Sequence, residues 1–148
     1  MRLFILHIIF PIFIGVILYL VFSSTNLIFY KWVQIEHFEN ILFSIRESTS
    51  KIRELQPKWV MSFLPDALWS YSFTSSLVIC WNFYNNYKVI FLFFLPFFTG
   101  VTIEIMQFEK IIPGTADYYD IIAYLIGTKL SLIILQNVKT NYYEKESD

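Results

Sequence analysis

Residues 3–22, LFILHIIFPIFIGVILYLVF, are twenty consecutive positions without a formal charge, preceded by Arg2. A helix needs about 20 predominantly apolar residues to cross a hydrocarbon core about 30 Å thick. Signal-sequence cores run shorter, about 7–15 residues, so this stretch reads as a retained first span, although Ser23-Ser24-Thr25 follows it. Three later stretches repeat the pattern: 64–83 (LPDALWSYSFTSSLVICWNF), 89–108 (VIFLFFLPFFTGVTIEIMQF) and 117–136 (DYYDIIAYLIGTKLSLIILQ). The chain is therefore expected to be all-α and polytopic. It would form a four-helix transmembrane bundle, with residues 1–148 as a single membrane domain. Pro65 is expected in the first turn of the second span, where a missing N–H does no harm. Pro96 and Gly100 are expected to interrupt the third. Lys139 to Asp148 form a polar tail expected to fray.

Composition enters as a check on this reading. Charged residues make up 16% of the chain, against about 25% in soluble domains, and mean hydropathy is +0.53. A net charge of −1 offers no basic footprint, so no nucleic acid is expected as a partner. Cys80 is the sole cysteine, which excludes an intrachain disulfide and any multi-cysteine metal site. His7 and His37 are too few and too far apart for a histidine cluster, so no metal is assigned. His7 itself reads as a histidine at headgroup level. Abundant Phe, Ile, Asn and Tyr is the bias of an A·T-rich bacterial genome. The expected location is accordingly the bacterial cytoplasmic (inner) membrane, crossed several times.

Residues 26–61 are the longest polar section. Trp32, Ile35, Phe38, Leu42, Ile45, Ile52 and Leu55 recur at helical steps, with Glu36, Glu39, Arg46, Glu47, Arg53 and Glu54 between them. That pattern predicts one or two amphipathic helices lying in the interface or capping the bundle, ended by Pro57.

Topology then decides where the polar residues meet. Asp66 opens the second span, Glu104 and Gln107 close the third, and Asp117 and Asp120 open the fourth, all at the face carrying the 26–61 segment. Glu104 and Gln107 share a helix face with Gly100, and Asp117, Asp120, Tyr124 and Gly127 form one stripe. Gly100 and Gly127 are expected to let the third and fourth helices approach closely beneath the acids. Acids at helix N-termini are ordinary, which leaves Asp66, Asp117 and Asp120 open to a capping role. Glu104 lies a turn inside a C-terminal helix end, where the dipole opposes it; an acid within a span usually faces the protein and has a function. Lys129, near mid-span, lies roughly 170° around the helix from the acidic stripe at about 100° per residue. It either snorkels or meets an acid on a partner.

The run Glu104-x-x-Gln107-Phe108, then Gly114-Thr115-x-Asp117-x-x-Asp120, then Gly127, resembles the signature of the VanZ-like family of small bacterial membrane proteins. Leu64-Pro65-Asp66-x-Leu68-Trp69-x-Tyr71 resembles the opening of the preceding family helix. The match covers about residues 64–128. The chain departs from the family pattern at Ile112-Pro113-Gly114, where members often carry an arginine, and at Tyr124, where they often carry asparagine. The resemblance implies a membrane fold and a polar site at one face more firmly than it implies a reaction.

Three functions follow as expectations. The first is binding of a polar cell-envelope ligand (a lipid headgroup, sugar or cation) at an acidic pocket. Glu104, Asp117 and Asp120 would supply charge there, Gln107 and Asp66 hydrogen bonds, and Trp69 and Tyr124 aromatic faces. The second is an accessory subunit of a larger envelope complex, with Lys129 at the partner interface or in a homo-oligomer. The third is an enzyme acting on a lipid-linked substrate, since clustered carboxylates can separate into acid and base. No Ser/His, Cys/His or phosphate-cradling motif supports catalysis, and no catalytic residue is assigned. No cofactor is called for; the carboxylates could hold a divalent cation through oxygen ligands. Membrane lipid is the expected surroundings and partner.

Overall fold

A computed structural model describes residues 2–22, 43–50, 58–81 and 91–147 of the chain. Among them every regular element is helical. Helix α1 is built from Arg2–Phe4, a π-helical turn Ile5–Ile9, and Phe10–Phe22. The π turn has a local cause. Pro11 has no N–H to return to the His7 carbonyl, and its ring crowds the preceding turn. Widening that turn, so that the Phe10 N–H reaches Ile5 O, absorbs the defect without breaking the helix.

Helix α2 spans Lys58–Cys80, α3 Leu95–Phe108 and α4 Tyr118–Ser147. The two prolines stand differently in their helices. Pro65 lies inside α2 rather than in its first turn, because the helix already begins at Lys58. Pro96 starts α3, with Phe94 as the N-cap, so the 89–108 stretch is interrupted just ahead of this proline, as expected. A proline lacking an N–H is harmless only in a first turn, and here residues 91–93 are helical and a turn at Phe94 separates them from α3. Gly100 leaves α3 uninterrupted. At 14 residues α3 is about 21 Å long, short of a hydrocarbon core. The helix α4 does not end near 136 but continues through the polar 139–147 stretch.

Two helices hold windows long and apolar enough to cross a membrane, Arg2–Val21 and Tyr118–Asn137, with mean hydropathies of 2.7 and 1.5. The packing order is a row: α1 against α2, α2 against α4, and α4 against α3. α1 buries one stripe, Ile8, Pro11 and Gly15, at helical steps of three and four, and exposes Phe4, Ile5, Phe10 and Phe13. Of the amphipathic segment expected over 26–61, residues 26–42 and 51–57 lie outside the described residues. Residues 43–48 form a short helix, and 58–61 belong to α2. Arg46 in that short helix donates from Nη1 to the Leu20 carbonyl at 2.8 Å, satisfying one of the last carbonyls of α1 with a cation at the negative helix end.

The tightest interface, α2 on α4, is made of small and hydroxylated residues. Ser70 Oγ donates to the Tyr124 carbonyl at 2.8 Å and shares a 2.8 Å hydrogen bond with Thr128 Oγ1. Thr74 donates to Thr128 Oγ1 at 3.4 Å, and Ser75 and Ser131 share a 2.8 Å bond. All five side chains are fully buried. Small residues allow the backbones to close, and the hydroxyls then satisfy one another across the seam. Below it, Val78, Phe93 and Leu135 form a small apolar core.

The α3–α4 connection begins with a Schellman ending. The Lys110 N–H bonds Gln107 O at 3.0 Å and the Ile111 N–H bonds Met106 O at 2.8 Å, which places Lys110 at the left-handed position with φ of 56°. A side chain there costs about 1 kcal/mol that glycine avoids. Lys110→Gly is therefore expected to stabilise the protein by about 1 kcal/mol, visible as a higher melting temperature in detergent; an unchanged or lower value would contradict this account.

Candidate functional site

The C-terminal end of α3, the N-terminal end of α4 and the early part of α2 converge around Glu104. This side chain is 5% exposed. It lies one turn from the end of α3, where the helix dipole is unfavourable. The compensation comes from the next helix. The Asp117 backbone N–H donates to Glu104 Oε2 at 2.8 Å, and the Tyr124 hydroxyl donates to Oε1 at 3.4 Å. Glu104 thus sits at the positive end of α4 as well as the negative end of α3.

Asp117 is the N-cap of α4. Its Oδ1 accepts the Tyr119 N–H at 2.9 Å and its carbonyl accepts the Asp120 N–H at 3.1 Å, the arrangement that makes Asp a preferred cap. Asp66 from α2 lies within electrostatic reach of both Asp120 and Glu104. Asp120 likewise feels Glu104 and Asp117. Asp120 Oδ1 is out of solvent and accepts no hydrogen bond among the described residues, an unmet acceptor of the kind that calls for an explanation. Among the described residues, the charges acting on Asp66 and Asp120 are all carboxylates. The Asp66 and Asp120 side chains are hydrogen-bonded to each other, and among the described residues no cation neutralises the three carboxyl groups.

Aromatic rings wall the cluster. Tyr124 is 5% exposed; its ring lies on Gly100 of α3, where an added Cβ would collide with the ring carbons. Trp69 meets Tyr124 edge-to-face at 5.8 Å and Phe73 at 5.7 Å. A cleft of about 400 Å³ between α3 and α4, lined by Glu104, Ile105, Phe108, Asp117 and Tyr118, opens beside the cluster.

The remaining residues singled out from the sequence are placed as follows. Gln107 packs against Gly114, whose φ is +147°, so its amide belongs to the loop. Gly127 does not face α3: an added Cβ there would strike the Ala67 carbonyl of α2. The close approach expected between α3 and α4 is thus two approaches, a ring on Gly100 and a backbone on Gly127. Lys129 is exposed, beside exposed Ile126, Leu130 and Ile133. Among the described residues no three His, Cys, Asp or Glu side chains are grouped to hold a metal ion, so the carboxyls do not converge on one point.

Sequence reasoning missed two features. The hydroxyl seam had a signal, because Ser70 and Thr74, and Thr128 and Ser131, recur at steps of four and three within apolar runs. The second is His7, whose Nδ1 is hydrogen-bonded to the Tyr71 hydroxyl at 2.6 Å across the α1–α2 contact. No local pattern links residues 64 positions apart.

Fold and site together define an all-helical protein with two candidate membrane-crossing helices and a carboxyl cluster, with Glu104 buried at its centre, where three helices meet. No family model, curated protein or solved structure matches the chain.

Proposed function

We propose that the chain is a VanZ-like, multi-pass protein of the bacterial cytoplasmic membrane that binds a positively charged envelope ligand at the acidic pocket. In this reading the stretches 3–22, 64–83, 89–108 and 117–136 are the four spans. The supporting observation is the cluster of Glu104, Asp66 and Asp120, carboxyl groups in reach of one another whose charged neighbours among the described residues are themselves carboxylates. Like charges held together away from water are unfavourable unless protons or a cation neutralise them. A ligand ammonium would supply the missing charge, give a donor to the unmet Asp120 Oδ1, and lie against the faces of Trp69 and Tyr124. The spread of the carboxyls suits an organic cation that reaches several acceptors better than a bare divalent ion.

A specific observation also favours a second reading, an accessory subunit of an envelope complex. Lys129 is exposed on an apolar helix face near the middle of the Tyr118–Asn137 window. A lysine at such a depth costs on the order of 3 kcal/mol unless an acid or water meets it.

One experiment separates the two. The protein is extracted from its own membrane in mild detergent and weighed by native mass spectrometry. Glu104→Gln keeps the acceptor for the Asp117 N–H but removes the charge. It is expected to lose a discrete bound small mass while leaving helix content unchanged. Retention of that mass would rule out the pocket. If instead a second polypeptide accompanies the parent protein and Lys129→Leu alone releases it, the accessory reading replaces the first.

A further inference from the structure

Between α1 and α2 runs a groove of about 260 Å³ lined by Ile12, Gly15, Val16, Pro65, Asp66 and Trp69. Its wall is almost wholly apolar and Asp66 is its only carboxylate. The groove exists for two reasons visible in the packing. Among the four long helices α1 packs chiefly on α2, and its other described contact is the Arg46 bond to the Leu20 carbonyl, so much of its far side stays open. Gly15 also contributes no side chain at the closest point, where an added Cβ would sit 3.6 Å from Leu68 Cβ and from the Pro65 carbonyl.

The two ends of this groove differ in chemistry. Asp66 belongs to the groove and also faces Asp120 and Glu104, and Trp69 lines the groove while its edge meets Tyr124. Asp66 is therefore the residue that the groove shares with the carboxyl cluster. Leu20 is a further lining residue, and its carbonyl holds the Arg46 guanidinium at 2.8 Å. Arg46 is therefore bound to the backbone of the groove's own lining.

A water-soluble cation has no use for the apolar wall, and a plain hydrocarbon has none for Asp66. The volume lies below the roughly 300–1,000 Å³ of sites that enclose whole small molecules, which suits one chain of an amphiphile whose remainder stays in the bilayer. We infer that the α1–α2 groove seats one acyl chain of a phospholipid whose headgroup carries a primary amine. The ammonium is directed to Asp66, Asp120 and Glu104, and the phosphate lies on the side of Arg46. This assignment rests on the acidic pocket being a ligand site and narrows its ligand to a class.

The test uses the full chain in mild detergent with Trp32→Phe, Trp59→Phe and Trp81→Phe, leaving Trp69 as the reporter. The probes are phosphatidylethanolamine and phosphatidylglycerol bearing identical brominated acyl chains, which quench indole fluorescence on contact. The amine lipid is expected to half-quench Trp69 at about tenfold lower concentration than the glycerol lipid, the ratio given by about 1.4 kcal/mol of charge-assisted contact. Asp66→Asn should erase that preference. Gly15→Phe should abolish quenching by filling the groove, and Val16→Phe does the same from an exposed position if Gly15→Phe does not fold. Equal quenching by the two lipids in the parent chain, or quenching that survives both groove-filling variants, overturns the inference. If that happens while Glu104→Gln still releases a bound small mass, the acidic pocket stands and only the groove and its lipid are wrong. If neither the lipids nor any mass depend on the acids, both readings fail together.

Discussion

Gly127→Val is expected to destabilise the protein by about 3 kcal/mol or to prevent its assembly, the upper end of the range for overpacking. The reason is what the new side chain would meet. At Gly127 an added Cβ runs into the Ala67 carbonyl and lies 3.0 Å from the Tyr71 nitrogen. These are backbone atoms of α2, which cannot rotate aside as a flexible side chain can. Relief requires α2 and α4 to separate, and separation breaks the hydroxyl bonds of Ser70, Thr74 and Ser75 to α4. Gly15→Ala is the control. Its Cβ finds only ordinary contacts at 3.6 Å or more, and alanine is favoured over glycine in a helix by about 1 kcal/mol, so that variant should match or exceed the parent. Thermal unfolding in a fixed detergent reads both. Equal melting temperatures for Gly127→Val and the parent would mean that α2 and α4 are not in this contact.

Tyr124→Ala is the second large effect, expected at about 3–5 kcal/mol by analogy with other aromatic-to-alanine changes in cores. The ring fills the space between Gly100 and Trp69, and neither neighbour can fill it: glycine has no side chain and Trp69 is held against Phe73. Tyr124→Phe separates packing from hydrogen bonding. It keeps the ring and removes only the 3.4 Å bond to Glu104, so its loss should stay near 1 kcal/mol or below. Gly100→Leu in the Tyr124→Ala background should recover part of the loss by refilling the void, whereas Gly100→Leu alone should destabilise by collision with the ring. Similar losses for Tyr124→Ala and Tyr124→Phe would move the weight from the ring to the hydroxyl.

The legible part of this molecule is whatever a one-dimensional pattern controls. The helical character of α1 and α4 follows from apolar runs near 20 residues. Glu104 stands out because an acid at a C-terminal helix end works against the dipole. The grouping of Asp66, Glu104 and Asp120 at one end follows from the alternation of helix directions, without any knowledge of contacts. Prolines were less legible. Pro65 and Pro96 each follow a leucine in an apolar run, and both can open a helix. Which one does so depends on where the preceding turn starts: α2 has already begun at Lys58, and α3 has not begun before Leu95. Gln107 reads as a site residue by its step of three from Glu104, yet the chain reverses at Lys110 and brings Gly114 beneath its amide.

What the sequence determined by itself is therefore the all-helical class, the apolar runs and the delivery of acids to one end, because periodicity, helix dipoles and chain direction are local quantities. Tertiary structure alone decided which surfaces meet: Gly127 on α2 rather than α3, a tyrosine ring on Gly100, a hydroxyl seam between α2 and α4, and His7 against Tyr71. Each of those choices turns on fit between surfaces far apart in the chain. Interaction over such separations depends on shape in three dimensions, and no local spacing records it.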